Sequence, residues 1–333
     1  MKICVITAGS WGSALAYLLS DNGHEVNLWF RNIEKAKKAI ELGENAEYLP
    51  GIPIPSNVRV LWDIEEASQG CELFVQGAPS HSVRETMEKF KPFIPGGATI
   101  VNIAKGLEEG TSKRLSEVIE EVLPGFHIVT LSGPTHAEEV ALKLPTAIVA
   151  ASKDLKAAEF VQDVFMNENF RVYTSDDIIG VEIGGAIKNV IALAAGVSDG
   201  MGGGDNSKAA LMTRGIREIS ALGVAMGAKA DTFNGLTGIG DLIVTCTSQH
   251  SRNRRVGFLL GQGKKLDDVL KEVRMVAEGV TTAKTAMELA IKYNVEAPIT
   301  TEIYKMLAEG KDPKKAVHDL MTRDKKKENT ADD

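Results

Sequence analysis

Residues 183–197, an apolar run of isoleucine, valine, leucine, alanine and glycine, contain a single charge, Lys188. If the run is helical, the positions stacked against that lysine are Val181, Gly184, Gly185, Ile191, Ala192 and Ala195. None of them can neutralise an ammonium. A solitary buried ammonium costs on the order of several kcal/mol unless a group distant in sequence pairs with it or it gives up its proton. Two readings stand. The side chain snorkels to the surface, or it is a desolvated amine able to exchange a proton near neutral pH.

Three other clusters carry groups that chemistry could use. In Gly238-Ile239-Gly240-Asp241 the glycines free the backbone, and Asp241 opens an apolar run that continues through Thr245. Asp241 is either the cap of a helix there or a working carboxylate. Ser251-Arg252-Asn253-Arg254-Arg255 gathers cations at an expected helix start, which suits a phosphate better than the solvated face such a run otherwise forms. Lys105-Gly106 and Ser132-Gly133-Pro134-Thr135-His136 each follow an apolar strand-like run. Lys105 there is either an ordinary surface lysine or an amine aimed into a cleft, and His136 is as well explained by capping as by base catalysis.

These groups need elements to hold them. Short apolar runs at Ile3–Ile6, Glu25–Phe30, Val58–Leu61, Leu73–Gln76, Thr99–Asn102 and Ile128–Leu131 alternate with helical periodicity, as in Gly12–Asn22, and 147–150 and 171–173 look like the last strands. That alternation predicts a parallel sheet covered on both faces. The turn after the first strand, Thr7-Ala8-Gly9-Ser10-Trp11-Gly12, has the G-x-G-x-x-G spacing of a dinucleotide site with threonine at the first glycine. Thr7 fits that turn if its φ stays negative. No acid lies between Asn27 and Asn32, where an NAD-selective site places one for the ribose hydroxyls. Arg31 stands there instead and, unless it is simply a surface arginine, suits a 2′-phosphate, so NADP is favoured over NAD.

From Asp176 onward strand signals vanish. Helices are expected over 177–197, 207–226, 255–261, 266–273, 281–293 and 299–308, with a glycine-dense loop at 199–206. The fold class is therefore α/β: an N-terminal Rossmann-type doubly wound sheet (1–180), a C-terminal all-α domain (181–322) and a flexible tail (323–333). A chain of 333 residues with 44% hydrophobic and 25% charged residues suits two such globular domains. Its net charge of −7 argues against a nucleic-acid partner. Cys4, Cys71 and Cys246 show no metal-ligand spacing and no even pairing, which points away from metal and disulfides and towards the reducing cytoplasm. The chain opens directly on a strand, leaving no room for a signal peptide, and 183–197 is too short and broken to span a bilayer. Two lysines, an arginine and a dinucleotide fold together imply reduction of a small phosphorylated carbonyl compound, hydride adding to carbon while an acid protonates oxygen.

The sequence resembles the bacterial NAD(P)-dependent glycerol-3-phosphate dehydrogenases over 1–322. The resemblance rests on Ala8-Gly9-Ser10-Trp11-Gly12, Tyr48-Leu49-Pro50-Gly51, Lys105-Gly106, Leu131-Ser132-Gly133-Pro134-Thr135, Ala186-Ile187-Lys188-Asn189-Val190, Gly238-Ile239-Gly240-Asp241-Leu242, Ser251-Arg252-Asn253-Arg254-Arg255 and Val276-Ala277-Glu278-Gly279. It implies reversible reduction of dihydroxyacetone phosphate to glycerol 3-phosphate for phospholipid synthesis, by a cytoplasmic homodimer joined through its helical domain. It assigns proton transfer to Lys188, a place beside the reacting carbonyl to Lys105, and orientation of Lys188 to Asp241, helped by Asn189 and Thr245. Gly133, Thr135, Ser251, Arg252 and Asn253 match substrate positions, Arg252 and Asn253 at the phosphate. Ser10, Trp11, Arg31, Tyr48, Ala137, Val276 and Glu278 match the cofactor side, with Lys105 and Arg252 touching both ligands. Thr7 departs from the family, which has glycine there. Two other readings are a relative among the hydroxy-acid and phosphogluconate dehydrogenases, which share the architecture and a helix-borne lysine, and a nucleotide-binding sensor without catalysis.

Overall fold

The computed structural model describes residues 1–273 and 276–328. The end of the expected tail, 329–333, lies outside the described residues. One compact unit comprises residues 1–108 and 113–182, and a second comprises 109–112 and the chain from 183 onward.

The first unit is built on β1 (Lys2–Ile6), β2 (Glu25–Trp29), β3 (Val58–Leu61), β4 (Leu73–Gln76), β5 (Thr99–Asn102), β6 (His127–Ser132), β7 (Thr146–Ala151) and β8 (Phe170–Ser175), in the spatial order β3-β2-β1-β4-β5-β6-β7-β8. Its helices are α1 (Ser10–Asp21), α2 (Ile33–Leu42), α3 (Ile64–Ser68), α4 (Val83–Phe90), α5 (Leu115–Val122), α6 (Ala137–Ala141) and α7 (Leu155–Phe165). The central strands are buried on both faces, which is why they read as unbroken apolar runs. Along β1, Ile3 and Val5 pack into the core on one face while Cys4 and Ile6 pack into the core on the other. Local chemistry sets the helix ends. Asn32 caps α2 by accepting from the Lys35 N–H at 3.0 Å, and Gly43, at φ 67°, ends it.

The alternation predicted a parallel sheet, and the structure departs from it at one pair. β7 runs antiparallel to β6, with Thr130 opposite Ala151, and β8 follows β7 in parallel. A parallel return needs a crossover long enough to traverse the sheet. The only helix between β6 and β7 is the five-residue α6, so the chain turns back where β6 ends.

From 178 onward the described residues contain helices and no strand: α8 (Ile178–Gly200), α9 (Asp205–Ala225), α10 (Asp241–Thr247), α11 (Arg252–Gly261), α12 (Leu266–Val273), α13 (Glu278–Lys292), α14 (Pro298–Ala308) and α15 (Pro313–Met321). The glycine-dense loop is present but shorter than expected, 201–204, since α8 continues through Gly200 and α9 starts at Asp205. Asp312 accepts from the Lys314 N–H at 2.9 Å with Pro313 at the first helical position, a start signal for α15 that periodicity alone passes over. Among the described residues, α8 is the one helix long and apolar enough to cross a membrane, and 94% of its most apolar window is buried within the protein.

Candidate active site

In the first unit, chain order reverses between β1 and β4, the crevice where open α/β sheets take ligands. Register brings the strand ends level there, because Ile6 lies opposite both Trp29 and Gln76, and Gln76 opposite Asn102. The residues that follow, Thr7, Arg31, Gly77 and Lys105, therefore leave the sheet along one edge. Gly9 stands at the N-cap of α1 with no side-chain cap and nothing crowding it, so the first-turn N–H groups are open to an anion. A Cβ on Gly12 would overlap the carbonyl oxygen of Thr7, which accounts for that glycine.

Thr7 itself corrects an expectation. Its φ is +81°, not negative. The β1–α1 turn keeps the backbone a glycine would adopt, and the side chain accepts the strain. Its Oγ1 is buried without a hydrogen-bond partner, as is the Trp11 indole N–H. An uncapped helix start, an uncrowded Gly9 and an orphaned indole donor fit a bound pyrophosphate.

The other first-unit candidates sit as follows. Ser10 is buried in the first turn of α1 and Ala137 opens α6. Arg31 is exposed beyond the end of β2. Tyr48 accepts at its hydroxyl from Lys35 Nζ (2.9 Å), and the same ammonium stands 4.9 Å from its ring centre. Lys105 Nζ donates to the Gly133 carbonyl at 2.8 Å, and Thr135 Oγ1 donates to the same oxygen at 3.1 Å. The structure thus brings Lys105, Gly133 and Thr135 together.

In the second unit Lys188 does not reach the surface. Its side chain is 6% exposed and pairs with the Asp241 carboxylate, itself 1% exposed. The missing countercharge comes from a residue far along the chain. Lys188 also donates to Thr245 Oγ1 at 2.8 Å, while that hydroxyl donates to the Asp241 carbonyl at 2.6 Å. Asp241 is not a cap. It follows a π-helical turn at Leu236–Gly240 as the first residue of α10, and the N-cap position belongs to Gly240. Such wide turns re-aim a side chain, and here the carboxylate is directed at Lys188. Burial pushes the Cys246 thiol up to about 12, so it offers no thiolate beside this pair.

Asn189, next to Lys188 on α8, accepts from Asn253 Nδ2 at 2.9 Å, and Asn253 Oδ1 accepts from the Gly279 N–H at 2.9 Å. Ser251 caps α11 by accepting from the Arg254 N–H at 3.2 Å. Arg252 reaches the Val276 carbonyl at 3.3 Å, beside Glu278, the first residue of α13. The cationic cluster is less uniform than its sequence suggests. Arg254 is held by Asp199 at 2.6 Å, and Arg255 turns to Glu272 at 3.4 Å. Arg252 directs its guanidinium to the Val276 carbonyl, at the turn it shares with Asn253. Asp199, which decides this, lies in a stretch that reads as loop.

A doubly wound sheet with an open helix start at its switch point, and a helical unit presenting a buried lysine held by aspartate and threonine, define a nicotinamide-dependent dehydrogenase. The chain matches the family model of the NAD-dependent glycerol-3-phosphate dehydrogenase N-terminus over residues 2–158 and that of its C-terminus over 177–318. It is 53% identical over 328 residues to glycerol-3-phosphate dehydrogenase [NAD(P)+] of Thermoanaerobacter sp. (strain X514), covering 98% of this chain and 99% of that one. The enzyme of the same name from Desulfitobacterium hafniense (strain Y51) is 55% identical, with 98% and 93% covered. The crystal structure of glycerol-3-phosphate dehydrogenase from Coxiella burnetii superposes with a TM-score of 0.94 at 37% identity, covering 97% of this chain and 99% of that one. The chain belongs to the NAD-dependent glycerol-3-phosphate dehydrogenase family and is an NAD(P)-dependent oxidoreductase acting on a CH–OH group.

Proposed function

We propose that the protein reduces dihydroxyacetone phosphate to glycerol 3-phosphate, reversibly, with Lys188 as the proton donor. The reading rests on one observation above all: Lys188, the single charge in the apolar 183–197 stretch of α8, is buried and held by Asp241 and Thr245. Buried ion pairs are weak devices for stability, and removing one partner costs about 3–5 kcal/mol. Their use here is to hold an amine in a fixed place and protonation state. Bound at the switch point of the sheet, the reduced nicotinamide supplies the hydride.

The protein's own groups do the rest. Lys188 Nζ gives its proton to the carbonyl oxygen as that oxygen becomes an alcohol, and takes it back in the reverse direction. Asp241 compensates the ammonium before transfer and keeps Nζ aimed, and Thr245 fixes it from a second direction. Lys105 offers a further cation to the carbonyl oxygen, with Gly133 and Thr135 lining its approach. Arg252 and Asn253, at the start of α11, take the phosphate, where the helix N-terminus adds its own partial charge. Ser251 holds that turn by its cap. Ser10, Trp11 and Ala137 hold the cofactor through helix starts and the indole, Arg31 reads the 2′-phosphate, and Tyr48, Val276 and Glu278 complete its surroundings.

We assign the protein to the cytoplasm and to supply of the glycerol backbone of phospholipids, acting as a homodimer through its helical unit. An open groove of about 1500 Å³ between α9, α14 and α15 supports the last point. It is lined by the apolar side chains of Leu211, Val224, Ile303 and Met306, which a twofold contact would cover.

Turnover of dihydroxyacetone phosphate, unphosphorylated dihydroxyacetone and 3-keto acids with NADPH tests the assignment. The phosphate should raise kcat/KM by orders of magnitude. Lys188→Ala should lower kcat by about 10²–10⁴, the usual contribution of a positioned acid. Equal turnover of the phosphorylated and unphosphorylated ketones, or a normal rate in Lys188→Ala, overturns it.

A further inference from the structure

Asp199 and Arg254 both stand where helix electrostatics disfavours them. Asp199 lies in the last turn of α8, at the negative end of that helix, and Arg254 in the first turn of α11, at the positive end. Each is tolerable because of the other. Arg254 donates through Nε at 2.8 Å and pairs through Nη2 at 2.6 Å with one Asp199 oxygen. The second oxygen pairs with Lys208 Nζ of α9 at 2.9 Å. The aspartate side chain is 9% exposed, so water screens the group little.

The pair grips a contact that has no slack. A Cβ on Gly196 of α8 would overlap the Arg254 carbonyl, and one on Gly257 of α11 would overlap the Leu193 carbonyl. The two backbones therefore touch directly. Two neighbouring residues of α11 then fasten its first turn to α8 at separate points, Asn253 to Asn189 at 2.9 Å and Arg254 to Asp199. The turn so fixed is the one that carries Arg252.

We infer that Asp199 is a positioning residue for the phosphate end of the substrate: it withdraws Arg254 from the ligand and locks the first turn of α11 along α8, so that Arg252 and Asn253 meet the phosphate at a set distance from Lys188. This rests on the function proposed above. Asp199 touches no reacting atom. Its influence travels through Arg254 and the backbone of the turn, which makes it a determinant of phosphate recognition rather than of proton transfer.

The test is Asp199→Asn assayed with dihydroxyacetone phosphate and with unphosphorylated dihydroxyacetone, alongside Arg254→Gln and Arg254→Lys. The KM for the phosphorylated ketone should rise about tenfold in Asp199→Asn and Arg254→Gln, the size of one mispositioned charge-assisted contact. Its kcat should stay within about twofold, and kcat/KM for the unphosphorylated ketone should not change, because only a uniform-binding contact is lost. Arg254→Lys, which keeps the charge, should restore part of the KM. A general loss of packing would lower kcat on both ketones equally, and that result overturns the inference, as does an unchanged KM. If Asp199→Asn fails to fold, Arg254→Gln decides by the same two criteria. Wild-type protein that does not reduce the phosphorylated ketone defeats the function itself, a different outcome from a variant that loses both activities alike.

Discussion

Asp241→Asn keeps the size of the side chain and removes the charge that compensates Lys188. Both side chains are nearly inaccessible, 6% and 1% exposed, and a second partner of the amine, Thr245 Oγ1, is neutral. Breaking a buried pair on one side costs about 3–5 kcal/mol, against about 0.2–1 kcal/mol for an exposed pair. At neutral pH the variant should therefore lose about 3 kcal/mol or more, read as a lower urea midpoint at unchanged m-value. The loss should also depend on pH with a definite sign. An ammonium without its countercharge releases its proton more readily in the folded chain than in the unfolded one. The unfolded state then binds more protons, and stability rises with pH until both states are neutral. The deficit should shrink steadily from neutral to alkaline pH, and the limb of the kcat profile that reports loss of the donor proton should move to lower pH than in wild type. Lys188→Met combined with Asp241→Leu should be less damaged than Asp241→Asn alone, since the orphaned charge is gone. A deficit below about 1 kcal/mol that ignores pH would refute the reasoning, because the amine would then be compensated elsewhere.

Arg31→Ala should weaken NADPH at least tenfold while leaving NADH nearly unchanged, because the exposed guanidinium is assigned only to the 2′-phosphate; equal losses in a cofactor titration would remove it from that role. Thr7→Gly should stabilise the protein by about 1 kcal/mol, since relief of a φ of +81° and of a buried unpartnered hydroxyl outweighs the added entropy of glycine. A lower urea midpoint would show that the threonine makes a contact that outweighs its strain. Glu218, buried against the start of α14 with carboxylate oxygens 2.7 Å from the Ile299 N–H and 3.1 Å from the Thr300 N–H, is pushed by burial from 4.5 up to about 7. Between those values the folded chain holds the proton that the unfolded chain releases, so stability should fall by on the order of 3 kcal/mol as pH rises through that window. Glu218→Gln should flatten the corresponding slope of Tm against pH, and an unchanged slope would place the titration elsewhere.

What the sequence made legible was set by how local the cause is. β4 and β5 are legible because both faces of a central strand are buried, leaving an unbroken apolar run with sharp ends. The antiparallel β7 was not, since strand direction depends on how far the connection can reach, and α6 reads no differently from a longer helix start. Lys188 was visible as an anomaly, the one charge in the apolar stretch 183–197. Its partner was visible only through the resemblance, because the π-helical turn that aims Asp241 has no signature beyond its glycines. Arg254 was misleading for the converse reason: a basic run states how many cations are present and not which are already taken. Thr7 shows a limit of motif reading, as the residue changed while the backbone conformation did not.

α8 joins these observations. It is apolar enough by composition to be taken for a membrane span, yet its length is used to place polar groups at measured intervals. Lys188 meets Asp241 and Thr245, Asn189 meets Asn253, and Asp199 meets Arg254 and Lys208. All of these partners except Lys208 are far away in sequence, and each sits in the last or first turn of a helix or next to one, where backbone groups are also unsatisfied. An apolar helix surface makes every such polar contact expensive to lose, which is what fixes the partners in register. The same surface explains why glycine is needed where α11 crosses it, since any side chain there would lift the phosphate-facing turn away from the lysine. Substitution of Gly196 by alanine should therefore resemble loss of Asp199 in kinetics, raising the KM for the phosphorylated ketone before it affects kcat. A variant that lost kcat first would mean that the seam between the two helices positions the amine rather than the phosphate.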